Sequence, residues 1–298
     1  MFKNVIMYRI APEWALAAEQ VQDHLQAGRF VECGASQEKS VGWIEPRGKA
    51  NGPLLESVAG QWILKLMVET RALPASVVNR KTQERVARIE ASTGRKPGKK
   101  ETRDIKDDMR LELLPMAFTK QSSILIWLDR EARFLIIDAA SQARADEVVT
   151  LLVQTLPGLA LTLVNTQTSP VAAMAEWLVS QEAPAGFSVD RECELKAADE
   201  SKAVVRYARH RLDTDEVKQH VTDGKMPTRL ALTWNERVSF MLTEGLQLKK
   251  LAFLDVVFEG TNNTKDDNFD ADVAIATGEL CKLLPDVLEA LGGEMPVA

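Results

Sequence analysis

Between residues 77 and 114 the sequence loses the apolar density that it has on either side. Val78, Val86 and Ile89 form one thin stripe at helical spacing, and Ile105, Met109 and Leu113, each four apart, form another. Between the stripes lies Ser92-Thr93-Gly94-Arg95-Lys96-Pro97-Gly98-Lys99-Lys100, where Gly and Pro are too dense for a helix to continue. A stripe this thin cannot be buried on both sides of its helix. The expectation is therefore two antiparallel helices that cover one another, with a basic turn at their far end, projecting from a body built by the rest of the chain.

The body reads as α+β. Phe2–Ile10 is an expected strand, followed by a helix with Pro12 in its first turn and Trp14, Leu16, Val21 and Leu25 running down to Gly28. Gly42-Trp43-Ile44 and Gln61–Val68 read as strands, and Pro74 closes this block. After Pro115, Ser122–Leu128 and Arg133–Asp138 form an expected β-hairpin. Helix Ala143–Leu156, strand Leu159–Val164 and helix Val171–Val179 follow. From Phe187 a second strand series begins: Phe187–Leu195, Ala203–Arg211, Arg229–Trp234, Val238–Leu242 and Leu248–Phe253. It is interrupted by a helix opened by Asp213 and Glu216 at capping-box spacing. A polar loop over Gly260–Asp267 leads into a helical tail. Strands and helices mix without βαβ alternation, so antiparallel sheets are expected and a doubly wound sheet is not.

Composition excludes several classes. Of 298 residues 45% are hydrophobic and 27% charged, which is globular, and 16 Gly with 12 Pro exclude collagen-like structure. No window reaches the ~18 apolar residues of a membrane span, and MFKNVIMYRI lacks a signal-peptide core, so a cytoplasmic location is expected. Cys33, Cys193 and Cys281 lie far apart, form no CxxC pair and read as free thiols.

A net charge of −6 argues against a polyanionic partner until the charges are placed. Arg80–Arg110 holds eleven basic and six acidic residues, a local +5, and Ser201–Arg211 holds four basic residues and no acid. The rest of the chain carries −15, of which −8 falls in Asp255–Ala298. Affinity for phosphates comes from local cations that displace condensed counterions, so this segregation permits nucleic-acid binding. Acidic surface further away than the Debye length of ~8 Å scarcely interferes. The Arg95–Lys100 turn is one candidate contact, the alternative being a solvated hairpin. The strand Val204–Arg211 is another: alternation places Val205, Tyr207, Arg209 and Arg211 on one face. Its alternative is an edge strand guarded by charge. Phe118, beside the Pro-broken joint Leu113-Leu114-Pro115-Met116-Ala117, reads either as core or as an exposed anchor.

Catalytic motifs fail. The Gly94–Lys100 segment has three residues between its glycines where a phosphate loop needs four, and Lys100 stands in place of the hydroxyl. Asp266-Asp267-Asn268-Phe269-Asp270-Ala271-Asp272 has Ala271 and Thr277 where a calcium loop needs Gly and Glu. A two-metal nuclease centre on this Asp266–Asp272 cluster stays open beside a solvated helix start. His24, His210 and His220 have no metal spacing, and no nucleophile elbow is present.

Across nearly its whole length the chain resembles the RdgC family of bacterial recombination-associated proteins. The resemblance rests on Phe2-Lys3-Asn4 with Tyr8-Arg9, Gly42-Trp43, Leu113-Leu114-Pro115 with Ala117-Phe118, and Trp127 with Asp129. It extends through Leu230-Ala231-Leu232 with Trp234, Phe269-Asp270-Ala271-Asp272 with Thr277-Gly278-Glu279-Leu280, and Glu289-Ala290-Leu291-Gly292-Gly293-Glu294. It implies a non-enzymatic protein of cytoplasm and nucleoid, without cofactor or membrane. Such a protein binds duplex DNA, with single-stranded DNA as a further candidate ligand, without sequence preference and restrains RecA-promoted recombination. It implies a horseshoe-shaped subunit that closes as a ring-shaped homodimer around DNA. On this plan residues 1–75 and 119–185 form the centre, 76–118 the helical tip and 186–298 the base. Arg95, Lys96 and Lys99 match the family's DNA-contacting tip, with Lys100 and Lys120 counted alongside. Phe118 matches a gate that inserts into the other subunit. Arg209 and His210 match a Lys-Gln pair lining the hole, with Arg211 beside them. Three departures stand out: Pro97-Gly98 interrupts what can be a continuous basic helix, His210 replaces Gln, and Met116 stands where Arg can occur. The readings left open are a metal-dependent nuclease on the acidic cluster and a protein-only scaffold.

Overall fold

The computed structural model describes residues 2–259 and 269–296. The expected loop over 260–267, with Asp266 and Asp267, lies outside the described residues. Among the described residues the chain is α+β, with seven α-helices and two antiparallel sheets.

The first sheet holds β1 (Ile6–Ile10), β2 (Lys39–Ile44), β3 (Leu55–Val58), β4 (Gln61–Ala72), β5 (Phe118–Asp129), β6 (Phe134–Ile137) and β7 (Leu161–Leu163). Their order is β2-β4-β5-β6-β1-β7, with β3 also paired to β4. Alternation along these strands sorts their side chains onto two buried faces. Ile6, Tyr8, Leu64, Leu66, Ile126, Leu128, Leu135 and Ile137 pack under α1 (Ala18–Ala27) and α4 (Gln142–Thr155) through Val21, Leu25, Val148 and Leu152. Their neighbours Met7, Ile63, Trp127 and Ile136 face the other way, into a larger core.

That larger core is shared with the second sheet, β12-β11-β10-β8-β9. Its strands are β8 (Phe187–Ala197), β9 (Val204–Ala208), β10 (Lys225–Trp234), β11 (Val238–Thr243) and β12 (Leu248–Phe253). Cys193, Leu195, Tyr207, Leu230, Leu232, Phe240 and Leu242 cover one face, against α5 (Pro170–Ser180), α6 (Asp215–Thr222) and α7 (Phe269–Ala290). The other face of this sheet carries Glu194 and the exposed Arg206, Arg229 and Lys250. The segment before β1 joins the two sheets: Val5 and Leu248 exchange backbone hydrogen bonds at 2.8 and 3.1 Å. Arg47 pairs with Glu56 (3.0 Å) and with Asp270 at the start of α7 (2.5 Å). Arg237 pairs bidentately with the buried Glu279 of α7 at 2.7 Å.

Several elements differ from their expected bounds. The strand near the N-terminus starts at Ile6, although Phe2 and Val5 before it are buried. The first helix starts at Ala18, because the Ala11 carbonyl accepts from Trp14 N–H in a turn (3.2 Å) and Gln20 Oε1 accepts from Ala17 N–H (2.9 Å). Trp14 is buried outside the helix. The helix expected to open at Asp213 is capped by Thr214, whose hydroxyl accepts from Val217 N–H. Asp213 instead pairs with Arg211. Gly42 has a steric cause: a Cβ there would lie 2.4 Å from Phe30 Cα, where the chain from Gly28 to Phe30 runs against Trp43.

Candidate nucleic-acid interface

The first group of candidate residues sits at the end of a long strand pair. β4 and β5 are twelve residues each and stay in register from Trp62 opposite Leu128 to Ala72 opposite Phe118. The half of β5 near Asp129 is buried, whereas Phe118–Gln121 are exposed, so the pair runs out past the core. It leads through Pro74 into α2 (Ala75–Thr93) and back from α3 (Lys99–Leu113). These two helices pack together, and Val78, Thr82, Ile105 and Met109 are their buried positions. The remaining stripe residues, Val86, Ile89 and Leu113, are half-buried.

The turn between the helices is tied at both ends. Gly94 adopts φ +71°, the left-handed conformation that ends α2, and donates to Glu90 O at 2.8 Å. Gly98 opens α3, and its N–H donates to Glu101 Oε2 at 3.4 Å. Arg95 reaches the same carboxylate at 3.0 Å. Pro97 is buried. The Pro-Gly interruption therefore makes a closed turn rather than a loose one. Lys96, Lys99 and Lys100 are exposed, and among the described residues their side chains have no hydrogen-bond or ion-pair partner. Two of them stand on the first turn of α3, where the helix dipole adds positive potential.

Phe118 begins β5 and is 87% exposed, which removes the core reading. Met116 (72%) and Leu111 (60%) are exposed beside it in sequence. Arg71 holds this joint. Its Nη1 donates to Leu114 O (3.2 Å) and Ala117 O (3.3 Å), and its Nη2 donates to Cys33 O (3.1 Å). The Leu114 carbonyl also accepts from Ala117 N–H (3.1 Å), and the guanidinium ties it to the carbonyls of Ala117 and Cys33. Below lies the buried Glu69, accepting from Gln121 Nε2 at 2.9 Å and from Cys33 N–H at 3.4 Å. Burial, and then the Glu69 charge, push the Cys33 thiol up. Lys120 is exposed on β5 opposite Thr70.

The second group departs from its expected geometry. β9 ends at Ala208, and Arg209 adopts φ +57°, so strand alternation does not reach Arg209 and Arg211. Tyr207 is buried in the core and donates to Glu216 Oε1 at 2.8 Å. Burial, reinforced by Glu216, pushes its phenol up to about 12. No cationic face bearing that aromatic ring exists. Arg209, His210 and Arg211 lie on the link beyond β9, held by His210 N–H to Arg191 O (3.1 Å) and by the Arg211–Asp213 pair (2.5 Å). Arg209 stands exposed over a groove with Arg191, Glu192, Ser239 and Lys250. Beside it the open face of the second sheet presents Arg206, Arg229 and Lys250. Sequence alone does not single out these three as a group. Their signal is a cation facing outward opposite a carboxylate, and it is visible only once strand register is known.

Of the acidic cluster, Asp270 and Asp272 are exposed on the first turn of α7, and Asp270 is engaged by Arg47. Asp266 and Asp267 lie outside the described residues.

Comparisons with known proteins match the chain over nearly its whole length. A family model described as "Putative exonuclease, RdgC" matches residues 1–294. The chain belongs to the RdgC family. It is 45% identical over 300 residues to Recombination-associated protein RdgC of Dechloromonas aromatica, covering 99% of this chain and 98% of that protein. It is 43% identical to the protein of that name from Herminiimonas arsenicoxydans and 45% identical to that from Cupriavidus necator, each over 98% of both chains. The RdgC motifs found in the sequence now have physical reasons. Arg9 pairs with Glu294 and lies 3.7 Å over the Phe134 ring, so motif residues at both ends of the chain meet. Trp234 Nε1 donates to Asp286 at 2.7 Å, and Glu279 holds Arg237. No helix among the described residues is long and apolar enough to cross a membrane.

Proposed function

We propose that this RdgC-family chain is a DNA clamp without chemistry of its own. As a ring-shaped homodimer in the nucleoid it encircles duplex DNA, binds it without sequence preference and restrains RecA-promoted recombination by occlusion. The observation that carries this reading is the α2–α3 turn, where Lys96, Lys99 and Lys100 are exposed without partners among the described residues while most of the chain is acidic. Phosphate contacts from such groups position DNA and read no bases. A two-fold dimer presents every cation twice around the hole, and B-DNA offers one charge per ~1.7 Å of axis. Helices α2 and α3 are the projecting tip on this reading, Phe118 is the gate into the other subunit, and Arg209 with its neighbours lines the base.

The test is duplex binding across a salt series, with sizing of the free protein alongside. Steep salt dependence, indifference to sequence and a dimer are expected; flat affinity between low and high salt sinks the clamp. The family description also names an exonuclease. Incubating circular and linear DNA with Mg²⁺ distinguishes the two: cleavage that vanishes in Asp270→Ala would overturn a clamp without chemistry.

A further inference from the structure

The open face of the second sheet treats its cations differently from the lysines of the α2–α3 turn. On β8, Glu194 stands directly opposite Arg206 of β9 and Arg229 of β10. It lies 2.6 Å from Arg206 Nε and 3.9 Å from Arg229 Nε. Thr228 Oγ1 donates to the same carboxylate at 2.8 Å and fixes its direction. The Glu194 side chain is 13% exposed, against 71% for Arg206 and 52% for Arg229. The carboxylate is thus recessed between two guanidinium groups that face solvent. Burial opposes its charge, but the hydrogen bonds from Thr228 and Arg206, with Arg229 nearby, outweigh it and hold the carboxyl below its usual range. Glu192, two residues along the same strand face, makes a single pair with Lys250 of β12 at 2.6 Å from a more exposed position.

We propose that Glu194, seconded by Glu192, attenuates the DNA affinity of this face by holding Arg206, Arg229 and Lys250 in intramolecular pairs that a phosphate must compete for. This rests on the DNA-binding reading and adds a role which that reading does not contain. Cross-strand ion pairs of this kind stabilise a sheet only modestly. A recessed anion shared by exposed cations lowers the field at the surface while leaving the donors outside, free to exchange partners. Contacts weakened in this way suit a ring through which a duplex must move: the unpaired lysines of the turn hold, and the paired cations of the sheet give way.

Glu194→Gln keeps shape and a hydrogen-bond acceptor and removes the charge. With ~0.2–1 kcal/mol per exposed pair, two pairs correspond to about two- to thirty-fold tighter duplex binding, with a steeper salt slope. Glu192→Gln, at a more exposed site, should tighten binding less. In a chain carrying Arg206→Gln and Arg229→Gln, adding Glu194→Gln should bring no gain. Unchanged or weaker binding in both single variants, at unchanged melting temperature, overturns the proposal. So does a gain that persists without the two arginines. If Glu194→Gln fails to fold, Glu192→Gln decides alone through Lys250. Wild-type protein in the same series separates the two layers: no salt-dependent binding there refutes the DNA reading itself, whereas wild-type binding with neutral variants refutes only the attenuation.

Discussion

Phe118 and Gly42 mark two ways in which one residue answers to physics beyond its neighbours in sequence. Phe118 is 87% exposed on a strand whose register with Ala72 holds it outside the core. Phe118→Ala should therefore shift the melting temperature by no more than a degree or two, while DNA retention and dimer stability on sizing both fall. A collapse in melting temperature would show a packing role instead. Gly42 has no room for a Cβ, since Phe30 Cα stands 2.4 Å from where it would be. Gly42→Ala should cost about 1–3 kcal/mol in urea unfolding, because backbone must shift to admit a methyl group. Arg71 supplies partners to three carbonyls at the base of α3. Replacing it removes this donor from the Ala117 and Cys33 carbonyls, while Leu114 O keeps the Ala117 N–H. Arg71→Met should cost about 1–3 kcal/mol and loosen the joint that carries Phe118.

At the scale of elements, α2 and α3 are held by two thin stripes and a capped turn rather than by the main cores. Their surface can change charge with little effect on the body. Lys96→Glu, Lys99→Glu and Lys100→Glu together should leave the unfolding midpoint of the body nearly unchanged, because these side chains have no polar partner among the described residues. Duplex affinity should drop tenfold or more, and the salt slope should shrink by ~0.9 for each phosphate no longer neutralised. Unchanged DNA retention in this variant would favour a protein-only scaffold. The two helices were legible in sequence because Val78, Ile105 and Met109 keep helical period and Gly94 and Pro97 break it. The end of β9 was not legible. Val204–Arg211 alternates well enough for a strand, but Arg209 turns left-handed at φ +57° while His210 N–H bonds to Arg191 of the neighbouring β8. A hydrogen bond across strands leaves no trace in local periodicity.

At the scale of the molecule, α7 packs in the core shared by the two sheets and is held by ion pairs to Arg47, in the loop after β2, and to Arg237, in the turn between β10 and β11. Arg237 and Glu279 are the bidentate and more buried of these, and the Arg237 hydrogen bonds hold the Glu279 carboxyl below its ordinary value against the opposing effect of burial. A carboxylate whose folded-state value is depressed stabilises the fold fully above its unfolded value. That contribution fades as pH falls from there through the folded value. Wild type should therefore lose stability between neutral pH and acid more steeply than Glu279→Gln, which starts lower at pH 7. Urea midpoints for both chains across that range check it. Arg237→Met should be the more severe lesion at pH 7, because it takes the bidentate partner from the buried Glu279 carboxylate while leaving its charge in place.

Local chemistry alone determined the α+β class, the two helices with their basic turn, the strand series after Phe187 and the segregation of charge beneath a net −6. These follow from periodicity, from helix-breaking residues and from summed charge, all of which act over a few positions. The tertiary structure alone decided that Phe118 is exposed, that Tyr207 is core, that Thr214 caps α6 and that Arg206, Arg229 and Lys250 share an open face with Glu192 and Glu194. Exposure and ion pairing depend on which strands lie side by side and which face a helix covers. Residues 194 and 229 become neighbours only through the pairing of β8 with β10.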